Sequence, residues 1–257
     1  MFNTLFNKIN DFRANSFRLS SRNRRALDSM PPGLYDYWKR TAQFEFKGIP
    51  QDAFFFVRAS DALLTFFECV KRSNKPCALP SKAADSVWHA WIRYSPATLE
   101  EFCRRHFGRL IPHVEAQDMA SGMDHAMATC LLTARSIEGL ERAGPHLPRL
   151  FVTDRKLRMP GGFAYEVTRG DVVFSHMNAR GRPEGDAHYQ TGVHPAFLLS
   201  AGLIAQYEYD KWEERRKPDG GGCGSTGSSC GTVSCDGGSG GDGGDGGGCG
   251  GGCGGGD

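Results

Sequence analysis

The stretch from Phe54 to Val70 limits the fold more than any other part of the chain. Its apolar residues recur at three- and four-residue intervals, as they do on one face of a helix: Phe56, Ala59, Leu63, Phe67 and Val70. Phe55 and Phe66 widen this face, and a helix that is apolar nearly all round is buried on several sides. We therefore predict a mainly α fold, an irregular helical bundle built around this helix.

Other helical patterns surround the central one. Residues 34–46 form an aromatic-rich helix, and a third long helix is predicted to begin near Asp118 or Ser121. Ser95 and Pro96 are typical of a helix start, and Gly108 is typical of a helix end.

The pattern changes after residue 146. Segments 150–152 and 163–174 have the composition of short strands, so we predict a small β element near residues 150–175. Residues 178–191 are polar and carry glycine, which predicts a loop. Pro195 is expected to start a helix that continues through Tyr207, with Gly202 as its weak point.

Three regions follow from composition: a basic amphipathic segment at 1–25, a globular helical domain at 26–217 and a Gly/Cys-rich tail at 218–257. Glycine supplies 21 of the 38 residues from 220 to 257, and no apolar face exists there. Such a segment has no core to offset its backbone entropy, so we predict that it is disordered.

The first region is also expected to be helical, because apolar residues recur at helical spacing from Phe2 to Phe12. We favour a helix docked on the body. Attachment of this face to an anionic membrane surface is the alternative.

The segment from Asp85 to His113 holds the strongest candidate site. Asp85 and His89 lie four residues apart, on one side of a short helix that also carries Trp88. A carboxylate beside an imidazole suits a metal ligand or a general base, but it is also a common structural pair. His113 follows Pro112, outside the helices, and can turn back toward His89.

A second pair of side chains in this segment has two interpretations. Cys103 and His106 lie three apart, which allows a thiolate–imidazole pair, although packing of both side chains in the core is favoured.

The pattern D-x-x-W-H, followed by Tyr94 and F-C-x-x-x-x-G-R-L-I-P-H, resembles the glycine-rich domain-containing protein family, whose members also have a glycine-rich carboxyl end. The family motif usually reads W-H-x-H, and Trp91 stands here in place of the second histidine. The resemblance covers the motif and the tail and implies neither a reaction nor a ligand.

Two further residue sets are candidates for binding zinc or another divalent metal. One is the tail cysteines, which suit a soft metal: Cys223, Cys230, Cys235, Cys249 and Cys253. The other lies after the β element and matches no standard zinc spacing: His176, Asp186, His188 and His194.

Several function classes lack their signatures. The sequence has no P-loop, no dinucleotide-binding glycine motif, no G-x-S-x-G and no H-E-x-x-H. The formal net charge is only +2, which gives no signal for nucleic-acid binding. No signal peptide is recognisable, so we expect a cytoplasmic protein.

From the sequence we predict a non-enzymatic interaction or regulatory module that binds a protein partner. The alternative is a metal-dependent enzyme with its site at Asp85, His89 and His113.

Overall fold

A computed structural model describes residues 2–114 and 122–217 of the chain. Its α-helices are α1 (Phe2–Ser20), α2 (Arg24–Asp28), α3 (Leu34–Glu45), α4 (Ala53–Ser73), α5 (Lys82–Tyr94), α6 (Pro96–Phe107), α7 (Met123–Glu138), α8 (Thr153–Leu157), α9 (Pro195–Ser200) and α10 (Gln206–Arg216). Three strands, β1 (Phe163–Thr168), β2 (Asp171–Met177) and β3 (Pro183–Tyr189), form one antiparallel sheet in the order β1-β2-β3. The mainly α fold with a small β element is confirmed.

Helix α4 is the central element, as its apolar pattern predicts. The Asp52 carboxylate caps its start by accepting a hydrogen bond from the Phe55 backbone N–H at 3.0 Å. Helices α1, α5 and α7 pack against it, and Leu63, Leu64 and Phe67 are completely buried. Burial of one such side chain contributes about 1.5–3 kcal/mol, so this helix supplies much of the core.

The helix boundaries predicted at α6 are confirmed. The Ser95 hydroxyl accepts a hydrogen bond from the Thr98 N–H, Pro96 occupies the first helical position, and Gly108 ends the helix in the left-handed region at φ +79°. Glycine suits this position because it has no Cβ to clash with the backbone.

Two predictions for the region after residue 146 are wrong. Residues 150–152 do not form a strand: they are a turn that leads into α8, with Leu150 and Phe151 buried in the core and Val152 half-buried. Within the predicted loop 178–191, residues Pro183–Tyr189 form the exposed edge strand β3. Its side chains are all exposed, so the strand lacks the alternation of apolar and polar residues by which strands are recognised.

The helix predicted from Pro195 is two helices. Gly202 lies between α9 and α10 with φ +64°, a conformation that stops the first helix. The long helix predicted to begin near Asp118 or Ser121 is α7, described from Met123; both of those residues lie outside the described ranges.

One buried carboxylate joins the helices to the sheet. Asp154 on α8 accepts hydrogen bonds from the Ser81 hydroxyl and from the backbone N–H groups of Lys82, Ala83 and Phe163, all at 2.7–3.0 Å. Burial raises the pKa of Asp154, and these four donors act against that rise. Asp154 therefore fixes the start of α5 against the start of β1.

Among the helices in the described ranges, none is both long and apolar enough to cross a bilayer. The tail at 218–257, with the disorder predicted for it and its five cysteines, lies outside the described residues. The division into regions 1–25, 26–217 and 218–257 stays a prediction.

Candidate functional site

One face of α5 supplies two of the candidate site residues. Lys82, Asp85 and His89 are spaced three and four apart, so their side chains lie on the same side of the helix. The opposite side of α5 packs into the core through Val87 and Trp91, both completely buried. Core packing thus fixes the rotation of the helix and directs the polar face outward.

His113 reaches this face from the extended segment after α6. Two interactions hold that segment: Ile111 is buried, and the Arg109 guanidinium donates to Asn74 Oδ1 at 3.1 Å and to the Val70 carbonyl at 2.9 Å. The end of α4 therefore positions the segment that carries His113. The prediction that His113 turns back toward His89 agrees with this placement.

Three side-chain atoms converge at the site. His89 Nε2 lies 3.0 Å from His113 Nε2 and 3.5 Å from Asp85 Oδ1, and His113 Nε2 lies 3.1 Å from the same oxygen. All three side chains are partly exposed, by 20–28% of their surface. In the part of the chain that the structure describes, no other group of three His, Cys, Asp or Glu side chains is so arranged for a metal ion.

Glu45, the last residue of α3, holds the His89 ring in place. The His89 Nδ1–H donates to Glu45 Oε1, while the Arg93 guanidinium donates to the other oxygen of Glu45 at 2.5 Å. Because an ionised carboxylate only accepts hydrogen bonds, the ring proton of neutral His89 lies on Nδ1. His89 Nε2 then presents a lone pair toward Asp85 and His113, as a metal-binding histidine requires.

The three atoms lie at the edge of a cavity of about 950 Å³. Apolar and aromatic side chains form most of its wall, contributed by α4, α5, α7 and the sheet: Phe66, Val70, Trp88, Met123, Met127, Phe163, Tyr165 and Phe174. Its charged residues are Glu45, Lys75, Lys82, Asp85 and Arg109, besides the histidines. A large apolar cavity with a few convergent polar groups is the usual form of a small-molecule site.

Trp88 joins the site to the core. Its ring lies edge-on to the His113 ring at 4.6 Å between centroids, and it also contacts Phe67 at 5.0 Å. The buried indole N–H of Trp88 has no hydrogen-bond partner among the described residues.

The alternative of a thiolate–imidazole pair between Cys103 and His106 is not supported. Burial raises the pKa of the Cys103 thiol to about 11, so it stays protonated near neutral pH. His106 instead lies 2.7 Å from the Ser29 hydroxyl, and burial lowers its pKa.

The second predicted histidine set does not come together as one site. His176 and His188 lie on neighbouring strands with their rings 6.1 Å apart, whereas His194 contacts Asp171 at 3.1 Å; Asp186 lies exposed on β3. The other candidate set, the tail cysteines, falls outside the described ranges.

Sequence reasoning did not find Glu45 or Lys82. Glu45 is 44 positions from His89, and nothing in its local sequence distinguishes it from a solvent-facing helical acid. Lys82 stands three residues before Asp85, outside the segment predicted to be helical, and the structure shows that α5 begins at Lys82.

One family model, described as UCP032817-like, matches residues 56–182, which is just under half of the chain and includes Asp85, His89 and His113. The chain is similar to this family over those residues, and the description names no activity. No curated protein matches the chain, and no solved structure does so either.

Proposed function

We propose that the protein is a metal-dependent enzyme whose divalent ion is held by Asp85, His89 and His113. The single observation that supports it is the convergence of the three ligand atoms, 3.0–3.5 Å apart, at the edge of the cavity. Zinc–nitrogen and zinc–oxygen bonds are about 2.0–2.2 Å, so these separations would let one ion be bound by all three atoms. Such an ion would supply Lewis-acid chemistry to water or substrate at the cavity edge.

The protons at the site fit such an ion. Since His89 Nε2 presents a lone pair, the Nε2–H of His113 donates within the triangle, to Asp85 Oδ1 at 3.1 Å. A cation replaces this proton, because both imidazoles must present lone pairs to bind it. Glu45 fixes the orientation and tautomer of His89 as a ligand through its hydrogen bond to Nδ1.

Two imidazoles and one carboxylate leave a metal open to exogenous ligands. Such a set suits zinc, which lowers the pKa of bound water, and Fe(II), which activates oxygen. We propose the first chemistry, a Lewis-acid reaction on a small molecule in the cavity. Trp88 and the neighbouring apolar wall limit the access of bulk water to the reacting group.

The test is elemental analysis of the full chain, with cobalt substitution as the spectroscopic readout. The protein, treated with a chelator and then loaded with Zn²⁺ or Co²⁺, is expected to retain one ion. A variant with all five tail cysteines changed to serine should retain it too, whereas His89→Ala should lose it with an unchanged circular dichroism spectrum. Loss of the ion only in the tail variant, or no ion in any protein, contradicts the proposal.

A second candidate function, the interaction module, is favoured by exposed apolar side chains. Phe12 and Leu19 on α1 are 72% and 58% exposed, and Phe44 on α3 is 83% exposed. Contact with a protein partner or, for the α1 face, with a membrane surface would cover them. Unchanged co-sedimentation with anionic vesicles after Phe12→Ser and Leu19→Ser would contradict the membrane role.

We also propose a reducing, cytoplasmic location. The four described cysteines support it because all of them are unpaired thiols. We further propose that the Asp85–His113 motif is shared with glycine-rich domain-containing proteins. In that case the UCP032817-like family and the glycine-rich domain-containing family have the same site.

A further inference from the structure

Four aromatic side chains on one face of the sheet line the cavity. Phe163 pairs with His176 and Tyr165 with Phe174 across β1 and β2, so the four rings share one face. Neighbouring rings in this group lie 5.4–6.2 Å apart between centroids, and all four residues line the cavity. We call these four residues the aromatic face. A planar ring packs on such a surface with edge-to-face or stacked contacts.

Among the described residues, the cavity wall carries three cationic side chains, Lys75, Lys82 and Arg109, and two acids. The two acids are both engaged: Glu45 by His89 and Arg93, and Asp85 by His113. Lys82 forms no ion pair with any described residue, and its ammonium group lies 5.2 Å from the centre of the Phe163 ring. A half-buried cation beside an aromatic surface favours a ligand that brings a negative charge.

Lys82 and the ligand triangle are close enough to be bridged by one small molecule. Lys82 precedes Asp85 by three residues and His89 by seven on the same face of α5, a separation of about 5–10 Å along the helix. Asp154 fixes this end of the helix by accepting from the Lys82 backbone N–H at 3.0 Å, so the spacing is constant. One benzene ring with substituents at opposite ends spans a gap of this size.

We propose that the cavity binds a small aromatic carboxylate, with its ring on the aromatic face, its carboxylate at Lys82 and its opposite end at Asp85, His89 and His113. The proposal rests on the proposed metal centre, which would act on that opposite end.

Calorimetric titration with matched acids and amides tests the proposal. The probes are benzoate, 4-hydroxybenzoate, phenylacetate and 2-naphthoate, each with its neutral amide, titrated into the full-length protein with and without bound Zn²⁺. At least one acid is expected to bind about tenfold or more tightly than its amide, because a charge-assisted contact to Lys82 is lost in the amide.

Variants locate the contact. Lys82→Gln should reduce the affinity for the acid about tenfold and leave the amide within about twofold, while the exposed Lys156→Gln should change neither. Phe163→Leu should weaken acid and amide equally, by about fivefold, because it removes a ring from the aromatic face. A loss that appears for the acid alone cannot come from general unfolding of the variant.

The outcomes separate this proposal from the metal centre. Acid preference that depends on Lys82 in a protein that binds no Zn²⁺ would overturn the metal centre and keep the ligand class. Conversely, Zn²⁺ binding with equal affinity for acids and amides overturns the ligand class alone. The ligand class is also overturned if no acid binds more tightly than about 1 mM, or if Lys82→Gln leaves the ratio of acid to amide unchanged.

Discussion

Two aspartate–histidine pairs in this protein have the same separation and different surroundings. Asp85 Oδ1 lies 3.1 Å from His113 Nε2, and Asp171 Oδ1 lies 3.1 Å from His194 Nε2. The Asp85 side chain is 28% exposed and borders the cavity, whereas the Asp171 side chain is 5% exposed, beside the Trp212 indole whose N–H donates to the Gly170 carbonyl.

The histidines differ in the use of their second nitrogen. His194 Nδ1 accepts from the Ala196 backbone N–H at 3.1 Å and so caps α9, which leaves the proton on Nε2 facing Asp171. His89, the neighbour of His113, donates from Nδ1 to Glu45 and points its lone pair at Asp85 and His113. His194 is therefore already used as a helix cap and faces Asp171 only at ion-pair distance, since Asp171 Oδ1 accepts no hydrogen bond from the described residues. At the other pair, two imidazoles and a carboxylate converge around one proton.

The comparison shows that residue type and distance do not identify a site. A cation near Asp171 is already supplied by Arg216 Nη2 at 3.2 Å, so this buried carboxylate is neutralised within the fold. Among the described residues, the ion-pair partners of Asp85 are two imidazoles, His89 and His113. An imidazole can bind either a proton or a metal ion. The two aspartate–histidine pairs therefore differ in the direction of the histidine lone pairs. Substitutions at each pair can test this difference.

The largest effect is expected at the ligand triangle itself. His113→Ala should lower Zn²⁺ affinity at least about 100-fold, because it removes one of three protein ligands. The matched variant His194→Ala should bind Zn²⁺ like the wild type. Competition titration with a chromophoric chelator measures both, and equal affinities in the two variants would mean that the two pairs do not differ in function.

The next effect concerns the support of His89. Glu45→Gln should lower Zn²⁺ affinity about 10- to 30-fold, since the amide no longer fixes the Nδ1–H tautomer as a carboxylate does. The same titration gives the value. Exposed Glu101→Gln, which removes only a surface ion pair with Arg105, is the control and should have no effect. A wild-type affinity in Glu45→Gln would contradict the assigned role.

A smaller effect is expected at the pair formed by Asp171 and His194, and it should be seen in the free energy of unfolding. Asp171→Ala should lower the free energy of unfolding by about 1 kcal/mol, a value reduced by solvent screening because His194 and Arg216 are about a third exposed. Thermal and urea unfolding measure it. Zn²⁺ stoichiometry should not change, and a loss of metal in Asp171→Ala would show that the two pairs are coupled.

The smallest effect compares two buried thiols, one at the cavity and one in the core. Hydrogen bonding from Cys130 lowers the pKa of Cys77, which lines the cavity, whereas burial raises the pKa of Cys103 to about 11. At pH 8 only roughly one Cys103 in a thousand is ionised, so iodoacetamide should label Cys77 first. Peptide mass spectrometry follows the labelling, and raising the pH should increase the Cys103 rate. Equal rates at pH 8 would contradict the difference.

The sequence predicts the helical scaffold well because apolar periodicity and capping are local signals. The face of α4, the Ser95 cap and the Gly108 end all follow from residues within a few positions of one another. The pairing of Asp85 with His89 is equally local, one turn apart on α5. His113 was placed near them only because Pro112 ends the preceding segment, so its approach remained a hypothesis until the fold brought the end of α4 beside it.

The rest of the site depends on contacts between distant segments. Glu45 and His89 are brought together by the packing of α3 on α5, and the aromatic face lies opposite α5 because Asp154 joins the two. Strand β3 was not predicted for a related reason. Its polar residues are held by hydrogen bonding to β2, and the local sequence of β3 gives no signal of this pairing.

The Asp154 junction determines how the cavity can change shape. A single carboxylate holds the first turn of α5 and the first residue of β1, and a side chain at Gly162 would approach its Oδ2 to 2.6 Å, so no larger residue fits there. Asp154 therefore holds the helix and the sheet together at one end of the cavity. If the cavity widens to admit a ligand, we expect the separation of α5 from the sheet to increase most at the other end, beside His89.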